Sequence, residues 1–240
     1  MADTTDSNAA IWKSDEIIKE WAAKANEREK TRLAHWQTMA KLLPFGGSDE
    51  FMFLDLGAGM GAAARTVLDC YPRSTVVLAE FSPQMIVEGT RELAPYDGRF
   101  RYLEFDMLAG VWPEEIPTDL DAVISSLCIH HMPDNRKQGL FVEIYEHLVP
   151  GGWYFNYDPV VSPDPVVEAT WQRTNDREDP EAEHKRNHRS PEEQARYENH
   201  VRYLIPLDQQ LGFLRAAGYD GVDVYWKYLD NVIYGGHRPS

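Results

Sequence analysis

Two cysteines are all that the 240 residues contain. Cys70 and Cys128 both sit in apolar segments, so no disulfide framework holds the fold and a reducing, cytoplasmic setting is expected. Long apolar runs are also missing: none approaches the roughly 20 residues that a membrane-spanning helix needs. The first residues, Met1 to Asn8, are polar and lack the apolar centre of a signal peptide. Positive charge is short as well, with 24 Lys plus Arg against 39 Asp plus Glu and a net charge of −15. Such a surface repels phosphate backbones, which argues against nucleic acid as a partner. The densest basic stretch, His184-Lys-Arg-Asn-His-Arg189, is flanked by Glu181, Glu183, Glu192 and Glu193 and is expected to be a solvated helix or loop face. There is no internal repeat and no low-complexity tract. What remains is a chain the size of one domain with a helical addition, long enough to bury a substantial core.

Against that background the segment Phe51-Met-Phe-Leu-Asp-Leu-Gly-Ala-Gly-Met-Gly61 carries the most information. Phe51 to Asp55 suit a buried strand of a parallel sheet. Gly57, Ala58, Gly59 and Gly61 then form a turn in which the backbone can approach a ligand closely, and a helix starts at Ala62. Alone, this spacing also fits a dinucleotide fingerprint. Two acids decide between ligands. Glu80 closes the next apolar run, 23 positions beyond Gly57, where a carboxylate can accept from both hydroxyls of an adenosine ribose. Asp55, just before the glycines, repels a pyrophosphate and attracts a ligand carrying an ammonium and a sulfonium. The balance tilts from NAD toward S-adenosylmethionine (SAM).

With these residues in place the chain resembles the class I SAM-dependent methyltransferases. Further matches follow in register: Glu80-Phe-Ser-Pro-Gln-Met85, Phe105-Asp106-Met107, Asp121 through Met132, and Leu148-Val-Pro-Gly-Gly-Trp153. The resemblance covers residues 28 to 159 closely and 206 to 237 more loosely. It implies an α/β fold: a Rossmann-like, doubly wound, seven-stranded sheet with an antiparallel last strand, N-terminal helices and a helical insertion between strands 5 and 6. An N-terminal helical cap is expected over residues 1–45, and a SAM-binding domain over 46–240 with a lid insertion at about 160–205.

Pattern reading fills in the elements. Residues 1 to 10 look disordered, and helices are expected over 11–25 and 28–43, the second stopped by Pro44 and Gly46-Gly47. Strands are expected at 51–55, 74–80, 100–105, 120–126, 151–157, 221–226 and 231–234. The last two are separated by only four residues, which demands a hairpin. A helix over 134–148 presents Leu140, Phe141, Ile144, Tyr145 and Leu148 as one apolar stripe, ended by Pro150-Gly151-Gly152. From Pro159 to Ile205 the chain is charged, proline-punctuated and helical.

Ligands in such sheets bind beyond the carboxyl ends of the strands, where strand order switches. That rule gathers the glycine loop, Asp55, Glu80, Asp106 and the segment Ser125, Ser126 to His131. Asp106 can accept from an adenine amino group while the Met107 amide serves a ring nitrogen, and Phe81 and Met85 can cover the adenine faces. Asp55 fixes the glycine loop, and its contact with the ligand amine is left open between a direct one and one through water. For the acceptor side, His130 and His131 are candidates for a base or positioning group, His131 being favoured because the resembling motif keeps a histidine there. Tyr157 and Asp158 end the fifth strand facing the same crevice. Trp171, Arg196 and Tyr197 of the insertion, and Trp12 of the N-terminal helix, are candidate acceptor contacts. His184 and His188 have metal-ligand spacing but no third ligand nearby, so no metal is expected.

The expected function is methyl transfer from SAM, the one cofactor, to the O, N or C atom of a small molecule, with a homodimer left open. Two other readings stand beside it. The first is a SAM-modifying enzyme that transfers no methyl, either by intramolecular cyclisation or like the carboxy-SAM synthases, which the insertion resembles in layout; in that family an arginine secures a carboxylate, and Arg196 is the nearest match. A catalytically idle SAM-binding scaffold is the third reading.

Overall fold

The computed structural model describes residues 25–179 and 181–240. The helix expected over 11–25, the disorder expected over 1–10, and Trp12 lie outside the described residues.

Seven strands form one sheet: β1 Met52–Leu56, β2 Thr75–Glu80, β3 Phe100–Glu104, β4 Leu120–Ser126, β5 Leu148–Pro159, β6 Asp220–Tyr228 and β7 Asn231–His237. Their order is β3-β2-β1-β4-β5-β7-β6. β1 pairs in parallel with β2, Asp55 opposite Leu78, and with β4, Asp55 opposite Ile124. Only β7 runs against its neighbours, β5 and β6. The parallel, doubly wound part is what the alternation of strands and helices requires, and the antiparallel last strand is what the short hairpin connection requires.

Successive residues of β1 face opposite sides of the sheet, as the period of a strand dictates. Leu54 and Leu56 join a core with Leu140, Phe141 and Ile144 of α4 (Asp134–His147) and with Leu211 and Leu214 of α8 (Leu207–Ala217). Phe53 joins the other core, with Trp36 and Met39 of α1 (Ala25–Leu42) and Val67 and Leu68 of α2 (Ala62–Cys70). Both faces of the central strands are therefore dry, which explains why β1, β2 and β4 are apolar runs and do not alternate.

The helix starts are written locally. Ser82 accepts from the Met85 amide ahead of Pro83 at the start of α3 (Pro83–Glu92). Asp164 caps α5 (Pro165–Glu178) in the same way. After α6 (Ala182–Asn187), Ser190 and Glu193 make a reciprocal capping box for α7 (Pro191–Val201). The expected insertion is thus three helices, with a single bridge from Val161 to Pro206 at its base.

Several boundaries differ from expectation by one to three residues, among them the ends of β5, β6 and β7, and two of the differences have a local cause. β5 begins at Leu148, not at 151, because α4 stops at His147 and buried Leu148 already pairs with Leu120. Gly151, at φ +85°, then lies within the strand, beside a register shift on its partner. The β6–β7 connection is two residues, Leu229 and Asp230, in place of the expected four, with Leu229 at φ +51°. No described helix is long and apolar enough to cross a membrane.

Candidate functional site

The sheet order reverses between β1 and β4, and a cavity of about 400 Å³ opens at their carboxyl ends. Its walls come from every surrounding element. The loop after β1 gives Gly57 to Met60, and β2 gives Glu80, followed by Phe81 and Met85. The turn after β3 gives Phe105 to Leu108, and the segment after β4 gives Ser126, Leu127, Cys128 and His130 to Met132. Helix α1 adds Glu29, Arg32 and Trp36, and α7 adds His200. Apolar walls with few convergent polar groups are what a small-molecule site needs.

The glycine loop takes its shape from sterics. Gly57 sits at φ +69°, and a Cβ placed on it would lie 2.2 Å from the Cys128 sulfur. Gly59 is at φ +55°, and its carbonyl accepts from the Tyr102 hydroxyl at 3.1 Å. Glu80 clamps this turn to the start of α3. Its Oε2 accepts from the Gly59 amide at 2.8 Å and its Oε1 from the Ser82 amide at 2.9 Å. Each oxygen keeps a further lone pair for a ligand hydroxyl. Burial raises the Glu80 pKa, while amides that include Ser82 and Gly59 pull it back down.

Asp55 is buried beneath the loop. Its Oδ2 accepts from the Ala64 amide at 3.1 Å, satisfying one of the unpaired N–H groups in the first turn of α2. Its Oδ1 is buried and has no partner. Burial, and secondarily the charge of Glu80, pushes the Asp55 pKa up to about 7. A buried carboxylate oxygen without a partner, on the wall of a cavity, is a place for a ligand's cationic donor.

A cluster of three histidines closes the opposite side. His130 and His131 form a short 3₁₀ turn after β4, and His200 arrives from α7. Asp158, fully buried at the end of β5, holds His130 twice. Its Oδ2 accepts from the His130 amide at 2.8 Å, and its Oδ1 lies 2.6 Å from Nδ1 of the ring. The other ring nitrogen, Nε2, lies 3.2 Å from Nδ1 of His200. His131 Nδ1 is buried without a partner. Burial, with His130, His200 and Lys137 nearby, drives the His131 pKa far below the usual imidazole range. Burial lowers that of His200 to about 4. Leu127, immediately before this turn, is held at φ +56°, a strained conformation for a branched side chain.

Most of the candidates fixed by sequence line this cavity: Asp55, Gly57, Ala58, Gly59, Glu80, Phe81, Met85, Asp106, Met107, Ser126, His130 and His131. Others do not. Gly61 starts α2 at φ +81° and is walled by Leu93 and Tyr102, so its role is in the turn. Ser125 is fully buried and its hydroxyl donates to the Leu56 carbonyl. Tyr157 stacks on His35 with ring centroids 4.6 Å apart. Asp158 lies behind His130, not on the cavity wall. Trp171 packs under the Lys227 ammonium, and Tyr197 carries the Arg189 guanidinium 3.6 Å over its ring. Arg196 is exposed on α7. Of the insertion, His200 alone reaches the cavity among the described residues. Sequence reasoning missed it because nothing near it in the chain marks it. It also missed Trp36, whose indole donates to Ser126 Oγ at 2.8 Å. Trp36 serves both the core beside Phe53 and the cavity wall.

A family model described as a methyltransferase domain matches residues 53–152. Acetylserotonin O-methyltransferase of Gallus gallus is 29% identical over 110 residues, which are 46% of this chain and 30% of that protein. Demethylmenaquinone methyltransferase of Thermus thermophilus is 32% identical over 99 residues, 41% of this chain and 43% of that protein. The matched stretches therefore span less than half of either relative. Among solved structures, "PigF with SAH" superposes with a TM-score of 0.69 at 15% identity, covering 99% of this chain and 64% of that one. That likeness is one of fold.

Proposed function

We infer that this chain, whose residues 53–152 match a family model described as a methyltransferase domain, binds SAM in the cavity beyond β1, β2 and β4 and methylates a small molecule held against the histidine cluster. The observation that carries this reading is the convergence on one cavity of three features. They are a glycine turn that tolerates no Cβ at Gly57, a buried carboxylate clamp at Glu80, and an unpartnered Asp55 oxygen. These fit the parts of SAM in turn: close backbone approach for the amino-acid arm, an acceptor pair for the ribose hydroxyls, and an anion for the ammonium.

SAM bound there would supply a methyl carbon on a sulfonium sulfur, for transfer to the acceptor atom with S-adenosylhomocysteine as the leaving group. The protein's part is chiefly positioning and exclusion of water. Phe81, Met85 and Leu108 wall the adenine end, and Asp106 offers an acceptor there. Helix α1, through Trp36, and α7, through His200, cover the acceptor end as cap and lid. Where the acceptor carries a proton, His130 is the imidazole best able to receive it. The Asp158 carboxylate at Nδ1 fixes the orientation of its ring and leaves Nε2 as the lone-pair nitrogen, a support that His131 lacks. Free Cys70 and Cys128 suit a reducing, cytoplasmic setting.

The carboxy-SAM reading asks for an arginine of the insertion in the pocket; Arg196 is exposed outside it, and the arginine that lines the cavity is Arg32 of α1. Mass spectrometry of SAM incubated with the protein, with and without a panel of phenols, amines and carboxylic acids, tests the choice. S-adenosylhomocysteine forming only with an acceptor is expected. A modified or cyclised SAM product without any acceptor would overturn methyl transfer.

A pH dependence follows from Asp55. Its folded pKa of about 7 is raised, so the free protein holds a proton there below pH 7. An ammonium ligand needs the carboxylate ionised, so binding must then release that proton. SAM affinity is expected to be flat above about pH 7 and to fall by up to about tenfold per unit below it. Calorimetric titrations from pH 5.5 to 8.5 check this, and Asp55→Asn should flatten the profile. An unchanged slope in that variant would assign the proton elsewhere.

A further inference from the structure

His130, His131 and His200 come from two elements 70 residues apart in the chain, yet one ring nitrogen from each lies within 4.8 Å of the others. The ring centroids are 3.9 Å apart for His130 and His131, 4.7 Å for His130 and His200, and 5.6 Å for His131 and His200. We propose that these three histidines bind one divalent first-row transition-metal ion at the acceptor end of the cavity, with an open coordination position that takes an anionic oxygen of the acceptor.

Four observations support the ion. The 3.2 Å between His130 Nε2 and His200 Nδ1 is close to the spacing of two imidazole nitrogens sharing one ion. Bonds of about 2.0–2.1 Å at angles between square and tetrahedral put them roughly 2.8–3.4 Å apart. Asp158 accepts at His130 Nδ1, which fixes the tautomer with Nε2 as the lone-pair donor, the usual carboxylate support behind a ligating histidine. Asn156 Nδ2, bonded to the Tyr234 hydroxyl at 2.9 Å, also reaches Asp158 Oδ2 at 3.3 Å, so that support is itself anchored. His131 keeps a buried ring nitrogen that nothing in the protein satisfies. Three neutral imidazoles with a fourth position free suit Zn²⁺ and its neighbours and are the donor set of an ion that binds an exchangeable ligand, whereas a purely structural site is closed by four.

The placement gives the ion a purpose. All three histidines line the same cavity as Glu80 and the glycine loop, so a coordinated oxygen would face the methyl-donor end. Coordination lowers the pKa of a bound hydroxyl, and the acceptor would shed its proton to solvent without needing an imidazole base. The ion would also tie α7 of the lid to the end of β4. Its role toward an acceptor rests on the methyl transfer proposed above; its existence rests on the histidine geometry alone.

The test uses the full chain, stripped by dialysis against a chelator and titrated calorimetrically with Zn²⁺, in parallel with a titration by SAM. One Zn²⁺ per chain, at about micromolar affinity or tighter, is expected. His200→Gln and His131→Gln should each abolish it, and Asp158→Asn should weaken it about 10- to 100-fold. The His184→Ala/His188→Ala double variant, which removes the exposed pair elsewhere on the insertion, should bind as the parent does. Co²⁺ loaded in place of Zn²⁺ should show the visible absorption of a low-coordinate site, lost in His200→Gln; this readout does not depend on turnover. No Zn²⁺ binding by the parent chain, or binding that survives His200→Gln and disappears in the His184/His188 variant, would overturn the ion site. A parent chain that takes Zn²⁺ but not SAM would overturn the proposed function and leave the ion.

Discussion

Glu80→Ala is expected to weaken SAM binding about 5- to 150-fold, the cost of about 1–3 kcal/mol for leaving buried hydroxyl partners unpaired. The change acts at two places. It removes the acceptors for a ribose, and it strips the acceptor from the half-buried Gly59 and buried Ser82 amides, which now hold the turn against the start of α3. Each orphaned amide costs a further 1–3 kcal/mol or so of stability unless water replaces the carboxylate. Melting temperature should therefore fall together with affinity. Glu80→Gln separates the effects, because one amide-side-chain oxygen can still accept from one of the two N–H groups. Its melting loss should be smaller than that of alanine, with affinity still reduced. Unchanged affinity in Glu80→Ala by calorimetry would place the ribose elsewhere.

The second large effect is expected at the other end of the cavity. His130→Ala should lower turnover about 10²- to 10⁴-fold, the range for losing an acid–base group. SAM affinity should stay within a few-fold, because His130 touches neither the glycine loop nor Glu80. Activation by His130 itself and by an ion bound to it both require this result. The substitution also leaves the Asp158 carboxylate buried with the Asn156 amide and the backbone N–H of residue 130 as its remaining partners, so some destabilisation will accompany it. Asp158→Asn is the companion: it keeps the imidazole and removes its charged support, and should lower turnover with less effect than His130→Ala. Turnover close to that of the parent in His130→Ala, with SAM still bound, would make the histidine structural.

How far the chain announces its own site depends on where the partners lie. The glycine turn and Glu80 are separated by fewer than 25 residues of strand, helix and strand, a unit whose geometry follows from period and handedness alone. Gly59 and Glu80 therefore meet where spacing says they should. Parallel strands buried on both faces also announce themselves as apolar runs, which is why β1, β2 and β4 start and stop within a residue or two of expectation. The acceptor side obeys no such local rule. His200 reaches His130 because a three-helix insertion folds back over the sheet, and its neighbours in α7, Arg196 and Tyr197, point elsewhere despite looking more suited to a pocket. Asp158 likewise looks like a substrate contact from its place at a strand end. Its partner at 2.6 Å is the ring of His130, 28 residues earlier. Ser125 and Ser126 are adjacent in β4, so the pleat sends one hydroxyl to the Leu56 carbonyl and leaves the other on the cavity wall. The sequence marks both equally.

One calorimetric experiment bears on all of this: titration of the purified chain at pH 8 with SAM, with S-adenosylhomocysteine and with NADH. Saturable one-to-one binding of both adenosyl-sulfur compounds, with no heat from NADH, is the expected result. Tight binding of NADH with neither sulfur compound held would mean that the buried Asp55 and the Glu80 clamp serve a different ligand, and the assignment of the cavity would fall with it.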